Sequence, residues 1–341
     1  MSSRACILGC SGPVLTEEER AFFRTVRPWG FILFARNVKN VDQTRALIDA
    51  LRECAGDEGA LVFIDQEGGR VQRARPPLAA NRPPAARFGA LYRSDPQAAL
   101  EAVGLNHRLM AEELRALGVD ADCAPCVDLL HEDAHDIIGD RSFGADPSVV
   151  SALGRAGIDG LAAGGCASVI KHIPGHGRAH ADSHLELPVV STPLPILEAT
   201  DFEPFRALAD APMAMTAHVV FTAVDPDACV TVSRHAVQQV IRGHIGFDNL
   251  LMSDDLSMKA LGGAMQDRAQ AALDAGCDVL LHCNGDMAEM AAVVEAAPHL
   301  AGRAGERAED ARAASRDWRP FDVSAAEERL ADLGLGGARA A

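Results

Sequence analysis

The sequence predicts an α/β protein built as a single (β/α)8 barrel of the TIM type, with its active site at the C-terminal ends of the strands. Eight short apolar runs alternate with segments of helical pattern along the 341 residues. From the third run onward, polar residues follow each C-terminal end, and in such barrels the βα loops on that face build the site. A doubly wound open sheet would also alternate in this way. It would not gather polar residues from so many strand ends, and no Gly-rich phosphate fingerprint opens any helix.

The elements follow in order. Ala5 to Gly9 reads as the first strand. Gly9, Ser11, Gly12 and Pro13 punctuate the apolar start, and Glu17-Glu18-Glu19 follow it, so a strand and turn fit better than an export signal. Thr16 is an N-cap candidate, with the three carboxylates at the positive end of the helix dipole. Gly30 to Phe34 is the second strand, and Val41 to Cys54 reads as a helix through Leu47, Ile48 and Leu51. Leu61 to Ile64 is the third strand, running into Asp65-Gln66-Glu67-Gly68-Gly69-Arg70. Arg73 to Arg87 is rich in Pro, Ala and Arg, which marks an irregular connection of the kind that lies over a site. Ala98 to Leu117 is a helix closed by Gly118.

Val119 to Val127 reads as the fourth strand, ending at Asp128. Pro147 to Ala163 is a helix stopped by Gly164-Gly165, and Cys166 to Ile170 is a buried fifth strand. Leu197 to Leu208 is a helix interrupted by Pro204, and Met213 to Ala217 is the sixth strand, leading to His218. Ser233 caps a helix to about His244. Leu250 to Met252 is the seventh strand and ends in Ser253-Asp254-Asp255. A helix over Met265 to Ala275 precedes the eighth strand, Cys277 to Leu281. The chain reads as one domain over 1–341, with an exposed helical tail from about residue 303 that frays at Gly336-Gly337-Ala338-Arg339. No linker, internal repeat or second apolar core is evident.

Composition narrows the function. A hydrophobic content of 48% suits a globular chain with a large core, and a formal charge of −16 argues against nucleic acid or an anionic membrane surface as partner. No apolar run approaches the roughly 18 residues of a membrane helix. The nine cysteines fall mostly in apolar runs and suit a reducing cytoplasm. Cys123 and Cys126 have the spacing of a redox or zinc pair, but they lie in a strand with no second pair, which makes them core residues.

The densest chemistry follows the fifth strand, in Lys171-His172-Ile173-Pro174-Gly175-His176-Gly177-Arg178-Ala179-His180-Ala181-Asp182-Ser183-His184. Four histidines fall four apart, which on a helix would share a face. Pro174, Gly175 and Gly177 forbid that helix, so this is a polar loop leaving a strand. Asp182 and His184 are two apart, and a carboxylate beside an imidazole fixes its tautomer and stabilises its protonated form. The alternative is a solvated loop with an incidental histidine. Asp254 and Asp255 end the seventh strand, where alternation lets only one face the mouth as a catalytic carboxylate; a helix cap is the bland alternative. Lys171, at a strand end, suits a Schiff base or hydroxyl binding, and otherwise needs an acidic partner to offset its burial. Asp65, Arg73 and Arg141 read as further polar anchors for a hydroxylated ligand, or as surface charges.

Five motifs resemble glycoside hydrolase family 3 β-N-acetylglucosaminidases of the NagZ type, in the family order. They are Ile64-Asp65-Gln66-Glu67-Gly68-Gly69-Arg70-Val71, Ile138-Gly139-Asp140-Arg141-Ser142-Phe143, Lys171-His172-Ile173-Pro174-Gly175-His176-Gly177, Asp182-Ser183-His184 and Ser253-Asp254-Asp255-Leu256-Ser257-Met258. Ile173 stands where the family more often has Phe. The resemblance implies retaining hydrolysis of terminal β-linked N-acetylglucosamine, with Asp254 as nucleophile, His184 as general acid/base and Asp182 as the partner of His184. It implies sugar binding by Asp65, Arg73, Arg141, Lys171 and His172. It also implies no metal or cofactor and, for want of a second α/β domain, the compact subgroup that recycles cell-wall fragments in the cytoplasm. A small sugar or muropeptide substrate, a monomer, and neither nucleic acid nor membrane as partner complete the expectation. Two readings compete with it. One is a zinc hydrolase using His172, His176, His180, His184 and Asp254; the other is a sugar-binding barrel without catalysis.

Overall fold

In the computed structural model, which describes residues 3–132, 134–180 and 187–337, the apolar runs form eight parallel strands. They are β1 (Arg4–Gly9), β2 (Pro28–Leu33), β3 (Leu61–Ile64), β4 (Ala121–Asp122), β5 (Ala167–Ile173), β6 (Met213–Thr216), β7 (Leu250–Asp255) and β8 (Val279–His282). Each pairs with its neighbours in sequence, and β8 pairs with β1, so the sheet closes into a barrel wrapped by helices. This is the predicted (β/α)8 architecture.

Strand parity divides the core in two. Ile7, Phe63, Val169, Met215, Met252 and Leu281 belong to one buried cluster, which fills the barrel. Leu8, Val62, Ile170, Ala214, Leu251 and Leu280, one residue out of phase, pack in the other against the helices. The inward series continued by two residues arrives at Asp65, Lys171, Asp254 and Cys283, all at the mouth. The alternation that buries the core therefore also aims these side chains.

The helix over Glu17–Val26 starts at Thr16 as expected. The Thr16 hydroxyl accepts from the Glu19 N–H, and the Glu19 carboxylate accepts from the Thr16 N–H. The strand Leu61–Ile64 and the helices Pro147–Ala163 and Met265–Ala275 have the predicted bounds.

Other expectations are corrected. The long fourth strand shrinks to Ala121–Asp122, because Pro125 has no N–H for a ladder. The expected helix from Leu197 to Leu208 is two short helices, Leu194–Ala199 and Glu203–Ala207, with a break between them at Thr200 to Phe202. Ala236–His244 is wound as a π-helix. The connection thought irregular to Arg87 already starts a helix at Ala85–Tyr92. β5 and β7 run on through Lys171-His172-Ile173 and Ser253-Asp254-Asp255, which places these polar residues on the strands themselves.

The C-terminal segment is helical and largely exposed, as expected, but one face of it packs on the rest of the fold. Its helices cover Gly302–Ala314 and Val323–Asp332. Ala308 and Ala311 close the barrel-filling cluster, and Leu330 is buried. Buried Arg82 pairs with both Glu113 and Glu327, tying the last helix to Pro96–Leu117. Residues 338 and 339 of the expected frayed end lie outside the described residues.

Candidate active site

A cavity of about 410 Å³ opens at the C-terminal mouth of the barrel. Asp65, Arg73, Arg141, Lys171, His172 and Asp254, the six described residues predicted for the site, all line it. They come from β5, β7 and the segments after β3 and β4. Phe34, Ile138, Met215, Met258 and Leu281 add apolar wall. This mix of apolar surface and a few converging polar groups is typical of a small-molecule site. Asp182 and His184 lie outside the described residues.

Lys171 is the hub of the polar side. Its Nζ lies 2.7 Å from Asp65 Oδ1 and 2.7 Å from Glu67 Oε1. Asp65 Oδ2 accepts from Arg73 at 3.1 Å. Glu67 accepts two hydrogen bonds from Arg141, at 2.8 and 2.9 Å, the bidentate geometry that suits a guanidinium. Burial alone would push both carboxyls up. The Lys171 ammonium with the Arg73 guanidinium overrides this for Asp65, which titrates well below the usual range. Arg141 and Lys171 likewise hold Glu67 down at about 2. Burial would lower the Lys171 pKa, but Asp65 and Glu67 more than reverse this and keep it cationic. A cationic, doubly paired ammonium is no amine nucleophile, so the Schiff-base option closes.

Asp128, at the end of the chain segment after β4, orders the turn after β5. Its Oδ2 accepts from His172 Nδ1 at 2.7 Å, and its Oδ1 accepts from the His176 N–H at 2.6 Å. Burial would raise the Asp128 pKa, but His172 beside it brings it well below the usual value. With Nδ1 committed, His172 offers its other edge to the cavity it lines. Burial lowers His176 to about 4, with His172 adding to the effect. His176 is therefore neutral at physiological pH.

Asp254 continues the inward parity of β7, and its Oδ1 accepts the Asp255 N–H at 2.8 Å. Burial would raise its pKa, but His218, His172 and this N–H outweigh burial and lower it, so the carboxylate is anionic. Asp255 also borders the cavity, against the expectation that only one of the pair could. The register of β7 on β8 shifts between Met252 and Asp255, which turns the second carboxylate toward the rim. There Asp255 accepts from Ser257 and from the Cys283 N–H.

The three described histidines of the loop do not share one cavity. His172 and His176 line the mouth, whereas His180 lines a separate cavity of about 250 Å³ with His131 and Arg178. Among the described residues the set with metal-ligand spacing is Cys126, Asp128 and His172, with donor atoms within 4.8 Å of one another. In that set the Asp128 carboxylate already accepts from His172 and from the Cys126 thiol. Burial pushes the Cys123 and Cys126 thiols well above their usual value, in keeping with core residues.

Three residues of this site escaped the sequence reading. Glu67 is two residues beyond Asp65, the spacing that keeps side chains on one face, and that was its one local signal. Asp128 and His218 were visible only as polar residues after strands.

Similarity to known proteins identifies the family. The model of the glycosyl hydrolase family 3 N-terminal domain matches residues 15–312. The chain belongs to this family. A β-hexosaminidase from Xanthomonas campestris is 40% identical over 301 residues, covering 87% of this chain and 88% of the relative. Another from Tolumonas auensis is 42% identical over 283 residues, covering 82% of each. Among solved structures, NagZ from Neisseria gonorrhoeae in complex with N-trifluoroacetyl-D-glucosamine superposes with a TM-score of 0.84. It is 31% identical, and the match covers 98% of this chain and 95% of that one. The barrel is thus that of a family 3 glycoside hydrolase, a β-N-acetylhexosaminidase.

Proposed function

We propose that this hexosaminidase removes terminal, non-reducing β-linked N-acetylglucosamine with retention of configuration, and that its substrates are N-acetylglucosaminyl-1,6-anhydromuramyl peptides released during peptidoglycan recycling. The observation that carries the reading is the meeting, in one cavity, of anionic Asp254 with the Asp65–Lys171–Glu67–Arg141 network. An anionic carboxylate that, among the described residues, is not tied up in an ion pair with Lys171 or an arginine, beside a set of fixed hydroxyl-binding groups, suits attack on a held sugar ring.

In the proposed reaction Asp65, Arg73, Arg141, Lys171 and His172 bind the sugar. An Asp254 carboxylate oxygen attacks the anomeric carbon as the glycosidic bond breaks, forming a glycosyl ester. His184 protonates the departing oxygen, and Asp182 favours the imidazolium this step needs. The neutral imidazole then takes a proton from water, which opens the ester and regenerates Asp254. Most retaining glycosidases place two carboxylates roughly 5–5.5 Å apart. A histidine in the second role avoids like-charge repulsion with Asp254.

Two features support the loop's part. Its root is held by Asp201, which accepts from His131 Nε2 at 2.9 Å and from Arg178 Nε at 2.7 Å. His176 inside the cavity is neutral through burial, so it is not itself a ready proton donor at physiological pH. The nine free cysteines fit a reducing compartment such as the cytoplasm.

Turnover of an aryl β-N-acetylglucosaminide tests the chemistry. Asp254→Ala should abolish it, and His184→Ala and Asp182→Asn should slow it severely. A fluorosugar inactivator should add its glycosyl mass to the peptide carrying Asp254. An active Asp254→Ala variant would sink the assignment. Activity should survive exhaustive EDTA treatment. For the leaving group, kcat/KM on the anhydromuramyl peptide should exceed that on chitobiose; the reverse order would remove the recycling substrate.

A further inference from the structure

Behind Asp254 lies a buried chain of hydrogen bonds that the reaction as proposed does not use. The Asp254 N–H donates to Thr216 Oγ1 at 3.2 Å. Thr216 Oγ1 is 2.8 Å from Thr231 Oγ1, and Thr231 Oγ1 is 2.7 Å from His218 Nδ1. The other ring nitrogen, His218 Nε2, is 3.1 Å from the carbonyl oxygen of Asp255. Thr216, Thr231 and His218 are all fully buried.

The direction of each bond follows from the inventory of donors. A carbonyl only accepts, so His218 Nε2 carries a proton. Burial pushes the His218 pKa down, against the pull of Asp254, so the ring is neutral and Nδ1 bears a lone pair. Nδ1 must then accept the hydroxyl proton of Thr231. The carbonyl of Ala217, 3.3 Å from the same hydroxyl, is the more distant acceptor. Thr231, having given its proton, accepts that of Thr216, and Thr216 accepts from the Asp254 N–H. Every proton in the chain has one place. From His218 the chain therefore reaches the backbone on both sides of the carboxylate, at the Asp254 N–H and at the Asp255 carbonyl.

We infer that His218 is a positioning residue for the glycosidase reaction, which as a neutral ring with its proton on Nε2 clamps the end of β7 through Thr231 and Thr216 and so fixes the line of attack of Asp254. The inference rests on Asp254 being the nucleophile. It has a physical purpose beyond packing. A cationic ring behind the nucleophile would stabilise the carboxylate and blunt its attack, whereas a neutral ring holds its backbone without that cost. A displacement of about 1 Å at a reacting group can cost on the order of a hundredfold in rate.

The experiment has two arms on the full chain. Ring 15N NMR of histidine-labelled protein, with His218→Asn to identify the signal, should show His218 as the Nε2–H tautomer. A Nδ1–H tautomer or an imidazolium at neutral pH overturns the inference. Kinetics on an aryl β-N-acetylglucosaminide should show Thr216→Val and Thr231→Val losing kcat by on the order of tenfold to a hundredfold with KM little changed. Thr216→Ser and Thr231→Ser should restore most of it. A valine variant that folds and keeps full kcat, or a serine variant as slow as the valine one, overturns the inference. Failure of the underlying reading looks different: Asp254→Ala would then stay active, while the tautomer of His218 would be unchanged.

Discussion

A lysine ammonium inside a barrel is tolerated only when its charge is answered. Lys171 is answered twice, by Asp65 and Glu67, and each of these carboxylates meets an arginine in turn. The arrangement makes Glu67, a residue with no obvious part in the chemistry, a support for Lys171 and Arg141, the two cations proposed to bind the sugar. Glu67→Ala would leave Lys171 and Arg141 short of a buried anion, and breaking a buried pair in this way costs about 3–5 kcal/mol. We expect a lower unfolding temperature together with a raised KM for an aryl β-N-acetylglucosaminide. Arg329→Ala, which breaks the exposed pair with Glu101, should change neither. If the two variants behaved alike in thermal melts and kinetics, the network would be ornamental. The sequence signalled the need for a partner to Lys171 but not its identity. Asp65 and Glu67 lie more than a hundred residues earlier, and only barrel closure brings them to the lysine.

At the scale of elements, the helices Pro96–Leu117 and Pro147–Ala163 pack against each other outside the barrel, and glycine permits their close approach. A Cβ at Gly160 would stand 2.5 Å from the Gly104 carbonyl oxygen and 3.1 Å from His107 Cβ. A Cβ at Gly104 would meet nothing closer than the Ala156 carbonyl oxygen at 3.8 Å. The two glycines face one interface and should respond with opposite sign. Gly160→Ala should destabilise by about 1–3 kcal/mol through overpacking. Gly104→Ala should stabilise by up to about 1 kcal/mol, since alanine is the better helix former. Urea titration of both variants checks the pair, and a stabilised Gly160→Ala would refute the close approach. The same helix shows which elements are legible in a sequence. Its bounds follow from Pro147 at the start and Gly164-Gly165 at the end. β4 is shorter than its pattern suggests because Val119 to Val127 alternates Asp120 and Asp122 with small apolar residues, and that alternation does not tell a laddered strand from extended chain interrupted by Pro125. β5 and β7 were cut short because charged residues read as loop. In a barrel the inward positions at the strand ends are where such residues belong, and pairing of the backbone is indifferent to them.

For the molecule as a whole, the barrel was legible because short continuous apolar runs recur eight times with helices between, and its mouth because polar residues collect after the strands. The buried histidines were not legible, since burial is a property of the closed fold, and they give the protein a pH dependence of its own. Burial holds His107 at about 4, opposed only in part by its bond to the Val103 carbonyl, and burial with His172 holds His176 at about 4. In the unfolded chain a histidine titrates near 6.5. Between these values the unfolded state binds protons that the folded state refuses, so stability falls as pH drops from about 6.5 to about 4. Glu67 adds a separate loss further down. Its folded pKa of about 2 lies below the unfolded carboxylate value, so its contribution is complete above that value and disappears only as pH falls toward 2. His107 allows the first window to be tested apart from the catalytic mouth, because it sits between the helices Pro96–Leu117 and Pro147–Ala163. His107→Gln cannot titrate. Its unfolding free energy from urea titration should therefore drop less between pH 7 and pH 5 than that of the unaltered protein, whatever the absolute cost of the substitution. An equal drop in both proteins would mean that His107 takes up its proton in the folded state as readily as in the unfolded one.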